Sequence, residues 1–107
     1  MRAVLVPSWS ALRAAGPGAL CPSWRPGSHT EEAEPTVLPS REDLWGFLVN
    51  CPGCGQMAGV HVAPQPGPVW EITGYPEAIT LSPSVHCVGC CGWHGWLRDG
   101  EWVGVSC

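Results

Sequence analysis

A chain of 107 residues with a net charge of −4, five arginines, no lysine and nine acids limits its own function before any motif is read. From residue 43 onward Arg98 is the one Lys/Arg side chain, set against Asp43, Glu71, Glu77, Asp99 and Glu101. Nucleic-acid binders draw affinity from cations placed on phosphates, so the composition argues against that class. No apolar stretch reaches the length of a transmembrane helix.

Residues 1–42 contain Pro7, Pro17, Pro22, Pro26, Pro35 and Pro39 together with three glycines. Breakers at that spacing interrupt helices and strands, and this segment is expected to be a disordered Pro/Gly-rich tail. Pro7 and Arg13 break any signal-peptide core, so a cytoplasmic protein is expected, without a membrane partner. The folded domain is then 43–107. A core of that size barely offsets chain entropy by apolar burial alone, and such domains are commonly stapled by disulfides or a metal.

From residue 43 the chain reads as strands and turns. LWGFLVN (44–50) runs into CPGCG, and MAGVHV (57–62) leaves it. PQPGP (64–68) breaks the chain before VWEIT (69–73), whose apolar residues alternate as in a half-buried strand. The AITL stretch and Ser82-Pro83-Ser84 then lead into Val85-His86-Cys87. In WLRDGEWV (96–103), Asp99-Gly100 between two apolar-aromatic runs signals a tight hairpin, because a primed turn requires positive φ. No helix is expected after residue 43. The fold class is all-β: a small zinc-ribbon-like sheet with two cysteine knuckles, preceded by the tail.

Chemistry concentrates in the cysteines. Cys51 and Cys54 form one C-x-x-C pair, Cys87 and Cys90 a second, with Cys91 and His94 close behind. Two such pairs suit a tetrahedral zinc ion, since a two-residue gap lets both thiolates of one turn face one metal. Gly55 follows Cys54 where a knuckle needs a left-handed residue. The expected ligands are Cys51, Cys54, Cys87 and Cys90, with Cys91 or His94 as alternatives for the fourth position. His61 and His86 are weaker candidates, and Cys21 and Cys107 lie outside the set. His29-Thr30-Glu31 superficially matches the His-x-Glu of zinc deaminases but lies in the proline-rich segment, without the helix that chemistry requires. Ser82 and Ser84 carry no base of recognisable spacing, and the expectation for them is a turn fixed by Pro83. No catalytic residue is assigned.

Several dispersed stretches resemble an uncharacterised family of small phage and prophage proteins: CPGCG, the following GVHV, WEITG (70–74), ITLSPSV (79–85) and HGWLRDGEW (94–102). Some members carry the label ammonia monooxygenase, though these residues offer no copper or oxygen chemistry. The resemblance implies a small metal-binding β domain from a viral or integrated genome. It also favours His94 as a ligand, because the family's histidine there follows a cysteine. This chain has Trp93 at that position and CVGCC upstream.

The expected function is a non-enzymatic protein-binding or assembly module built around a structural zinc. Trp93, Trp96 and Trp102 around the Asp-Gly hairpin would be its anchors for an unknown protein partner. The alternative is a small zinc-dependent hydrolase, with His94 and a carboxylate, Glu71 or Asp99, at an open metal position. The first is preferred because all-cysteine sites are closed to water.

Overall fold

The computed structural model describes residues 1–28, 35–64, 66–87 and 91–105. Two four-stranded sheets share one core. The first runs in chain order through β1 (Val4–Leu5), β2 (Ala19–Trp24), β3 (Leu44–Asn50) and β4 (Met57–His61). The second runs through β5 (Glu71–Thr73), β6 (Thr80–His86), β7 (His94–Arg98) and β8 (Glu101–Val105). All pairings are antiparallel except β1 with β2. The all-β expectation therefore holds, with β3 at the boundaries read from the sequence. Among the described residues, no helix is long and apolar enough to cross a membrane.

The expected disordered tail is corrected for its described part. A short helix, α1 (Trp9–Ala15), and strands β1 and β2 occupy it. Two of its prolines bracket α1 rather than break it, Pro7 just before the N-cap and Pro17 just after the C-cap. The Ser8 side chain accepts from the Ala11 N–H at 3.2 Å, a standard N-cap. At the other end, buried Asn50 donates to the carbonyls of Leu12 and Gly16 at 2.8 and 2.9 Å, satisfying acceptors the helix leaves open. Pro22 lies within β2 beyond the point where β1 stops, opposite Leu20, so its missing N–H breaks no ladder on that side. His29, Thr30 and Glu31 lie outside the described residues.

Burial explains why this segment folds. Leu20 enters the main core beside Phe47, Val49, Val60, Leu81, Val85, Leu97 and Trp102, which come from both sheets. Leu12, Ala19 and Cys21 form a second cluster with Val6 and Leu48, covering the other face of the first sheet. A sheet covered on both faces reads as a continuous apolar run, which is the pattern of LWGFLVN. Farther along, the Tyr75 hydroxyl donates to the Pro39 carbonyl at 2.7 Å, and burial pushes its pKa up to about 12.

The second sheet behaves differently. Along β7, exposed His94, Trp96 and Arg98 alternate with buried Gly95 and Leu97, so one face of this sheet is open. The Asp99-Gly100 turn has φ of 48° and 77°, as a primed hairpin requires.

Truncating Leu20 separates a folded N-terminal segment from a disordered one. Leu20→Ala should lower the unfolding free energy measured in denaturant by about 2–5 kcal/mol. A disordered tail would leave it unchanged.

Candidate active site

Two turns and one hairpin build the site. In the first turn, Cys51 N–H donates to the Gln56 carbonyl at 2.9 Å and Gly55 N–H to the Cys51 carbonyl at 2.8 Å. The second turn repeats the plan with one more residue: Cys87 N–H donates to the Trp93 carbonyl at 2.8 Å, and Gly92 N–H to the Cys87 carbonyl at 3.1 Å. Gly55 and Gly92 have φ of 82° and 81°, so each turn closes on a left-handed glycine directly after a cysteine. The residue of the second turn equivalent to Cys54 is therefore Cys91.

Side chains agree with that backbone equivalence. The sulfurs of Cys51, Cys54 and Cys91 all lie within 4.8 Å of one another. Cys51 and Cys91 are 3.7 Å apart, and Gly53 N–H donates to the Cys51 sulfur at 3.3 Å. Two thiolates bound at about 2.3 Å to a tetrahedral ion stand roughly 3.8 Å apart, so the trio fits a metal of that kind. A Cβ at Gly53 would come within 2.7 Å of the Cys91 sulfur, so the glycine of C-P-G-C makes room for the second turn. Cys87 is buried in the core outside this trio, and Cys90 lies outside the described residues. His61 sits on β4 and is not part of the trio.

His94 stands elsewhere. Its Nε2 is 2.7 Å from the Ser84 Oγ. Register explains the meeting. His86 on β6 faces His94 on β7 directly, and Ser84 is two residues before His86 on the same face, a diagonal neighbour. Between Leu81 and Val85 the ladder is irregular, as two extra β6 residues are taken up where Ser82, Pro83 and Ser84 lie. The Trp70 indole N–H donates to the Ser84 carbonyl at 3.2 Å and holds this irregular backbone from the β5 side. Ser84 is half-buried while His86 and His94 are exposed. The His94 ring centre lies 5.0 Å from that of His86, tilted by 41°, and 5.7 Å from that of Trp96 at 30°. The Arg98 guanidinium lies 5.2 Å over the Trp96 ring.

The expected anchors divide. Trp96 is 37% exposed, but Trp93 and Trp102 are only 5% and 4% exposed. These two meet edge to face at 5.6 Å, and Trp102 donates to the Gly18 carbonyl at 2.8 Å. Trp93 folds back over the Gly95–Gly104 pair, where a Cβ on either glycine would lie 2.6 Å from its ring. Trp93 and Trp102 are core residues, not surface anchors.

Sequence reasoning missed Ser84. Its signal was available: Ser84 and His94 flank the cysteines of the second turn at equal distances from Cys87 and Cys91, which a hairpin brings side by side. Asp99 lies in the turn at the far end of that hairpin, its N–H bonded to Thr80 Oγ1 at 2.9 Å, and Glu71 pairs with Ser82.

Among curated proteins and among solved structures, nothing matches the chain significantly. A family model does: residues 21–105 match the bacterial ubiquitination-like system serine protease (BubE). A family described as a serine protease overturns both earlier readings, the non-enzymatic assembly module and the zinc-dependent hydrolase. The match also starts at Cys21, inside the segment expected to be a tail. By this match over most of its length, and with a serine–histidine pair on its open sheet, the chain belongs to the BubE family.

Proposed function

We propose that the chain is a serine protease of a ubiquitination-like system, with Ser84 as nucleophile and His94 as general base. The observation that carries this is the 2.7 Å bond between Ser84 Oγ and His94 Nε2 in a chain of a family so described. To act as base, Nε2 must be the unprotonated nitrogen, which places the ring proton on Nδ1. As Ser84 Oγ bonds to the carbonyl carbon of the scissile amide, its proton passes to His94 Nε2 and the carbonyl π pair moves to oxygen. Collapse of that intermediate breaks the C–N bond, and the imidazolium returns the proton to the leaving amine. Water, deprotonated by the same nitrogen, then releases the acyl group and regenerates Ser84.

The thiols have a separate role in this reading. Zinc would be held by Cys51, Cys54 and Cys91, with Cys87 or Cys90 of the second turn as the candidate fourth thiolate, and would cross-link the two turns, and so the first sheet to the second. The chemistry it would supply with four thiolates is structural, because such a site leaves no open position. Its fit rests on the 3.7 Å spacing of Cys51 and Cys91. By holding the second turn, the site keeps Ser84 and His94 at their diagonal spacing.

A fluorophosphonate, which phosphonylates activated serines, tests the dyad. It should label the wild-type chain on Ser84 and leave Ser84→Ala unlabelled. Labelling of His94→Ala should be slower by about 10²–10⁴-fold, the usual contribution of a general base. Equal labelling of Ser84→Ala would refute the assignment.

Metal analysis after purification under reducing conditions should find about one zinc per chain, since thiolate sites bind it tightly. Chelation, or Cys51→Ser, should lower the melting temperature and suppress serine labelling together. A metal-free chain of unchanged stability would contradict the structural role.

A further inference from the structure

We propose that Trp96 is the positioning residue for His94, doing by ring stacking what a carboxylate does in a serine–histidine–aspartate triad; this rests on the serine-protease reading above. A base that takes a proton from serine must keep Nε2 aimed at Oγ, and triads do so through a carboxylate on Nδ1. His94 is exposed at the first position of β7, where an imidazole with two free torsions would sample several rotamers. Among the described residues its hydrogen-bond partner is Ser84, and its other close neighbours are rings. The acids on this hairpin are remote. Asp99 and Glu101 sit at the turn, about five residues from His94 and so on the order of 15 Å away along the strand. Glu101 also faces Arg2 at 3.8 Å.

Trp96 occupies the position a positioning group needs. It lies two residues after His94 on the same face of β7, so alternation alone brings its ring beside the imidazole. The two planes are 30° apart with centres at 5.7 Å, a stacked arrangement that restricts rotation of the smaller ring. Arg98, two residues farther on the same face, covers the indole at 5.2 Å and limits its movement in turn. His86 bounds the imidazole from β6 at 5.0 Å. The indole thus orients the base. A solvent-facing tryptophan that serves only as surface would not.

The experiment compares wild type, Trp96→Ala and Trp96→Phe by the rate of fluorophosphonate labelling at Ser84, resolved into maximal rate and half-saturation, and by the proton NMR shifts of the His94 ring. In Trp96→Ala the maximal labelling rate should fall roughly tenfold to a hundredfold, within the range of a general base's contribution, while half-saturation stays near wild type. The His94 ring protons should move downfield in the same variant as the indole ring current is lost. Trp96→Phe, which keeps an aromatic face, should recover most of both. Unchanged melting temperatures would show that the loss is not one of folding; a variant that unfolds is replaced by Trp96→Leu, which keeps bulk without a π face and should behave as Trp96→Ala. Ser84-dependent labelling with an unaltered maximal rate in Trp96→Ala, or a loss confined to half-saturation, overturns the positioning role alone. Labelling that survives Ser84→Ala overturns the protease reading, and this inference with it.

Discussion

The hydrogen-bonded turn from Cys87 to Trp93 is the constraint on which the site depends. It closes β6 onto β7, and its two backbone bonds fix which residues of those strands face one another. Three residues before Cys87 is Ser84, and three after Cys91 is His94. Hairpin geometry converts that spacing into a diagonal contact on the open face of the second sheet, with Oγ and Nε2 at hydrogen-bond distance. The same turn delivers Cys91 to the first turn, where Gly53 leaves room for its sulfur. One short segment thus serves the thiol cluster and the serine–histidine pair at once.

The turn is in turn held by packing. The Trp93 ring packs against Gly95 and Gly104, and its edge-to-face contact with Trp102 continues into the bond between Trp102 and Gly18. That last bond reaches the N-terminal segment, which enters the core through Leu20. The first sheet, α1 and the buried tryptophans are therefore the support of an open second sheet, whose exposed face is free to carry chemistry. Burying apolar surface on one side while leaving the other solvated is what an antiparallel sheet permits.

Much of this was legible in the residues, and the omissions have physical causes. The strand at 44–50, the turn at CPGCG and the Asp99-Gly100 hairpin were local signals, set by apolar runs and by the need for positive φ. The folded N-terminal segment was not, because its prolines were read as breakers when two of them bracket a helix and a third sits at an unpaired strand edge. The thiol cluster was read in outline, but counting two residues between cysteines concealed that the second turn is one residue longer. The glycine directly after Cys91, matching the one after Cys54, was the better guide. Ser84 was missed because His94 lies on the next strand, and their equal three-residue offsets from Cys87 and Cys91 become a contact only once the register of the hairpin is known. The stretches ITLSPSV and HGWLRDGEW that carried the family resemblance are the ones that contain Ser84 and His94. The two inward tryptophans were also misplaced, since which face of a hairpin is buried is decided by the opposing sheet.

The most direct test is a crystal structure of the chain after reaction with a fluorophosphonate. The account requires phosphorus bonded to Ser84 Oγ, the His94 imidazole within hydrogen-bond distance of the adduct, and Cys51, Cys54 and Cys91 converging on one metal ion behind the same turn. An adduct on Ser82 or any other serine, or an ion bound through His94, would contradict it.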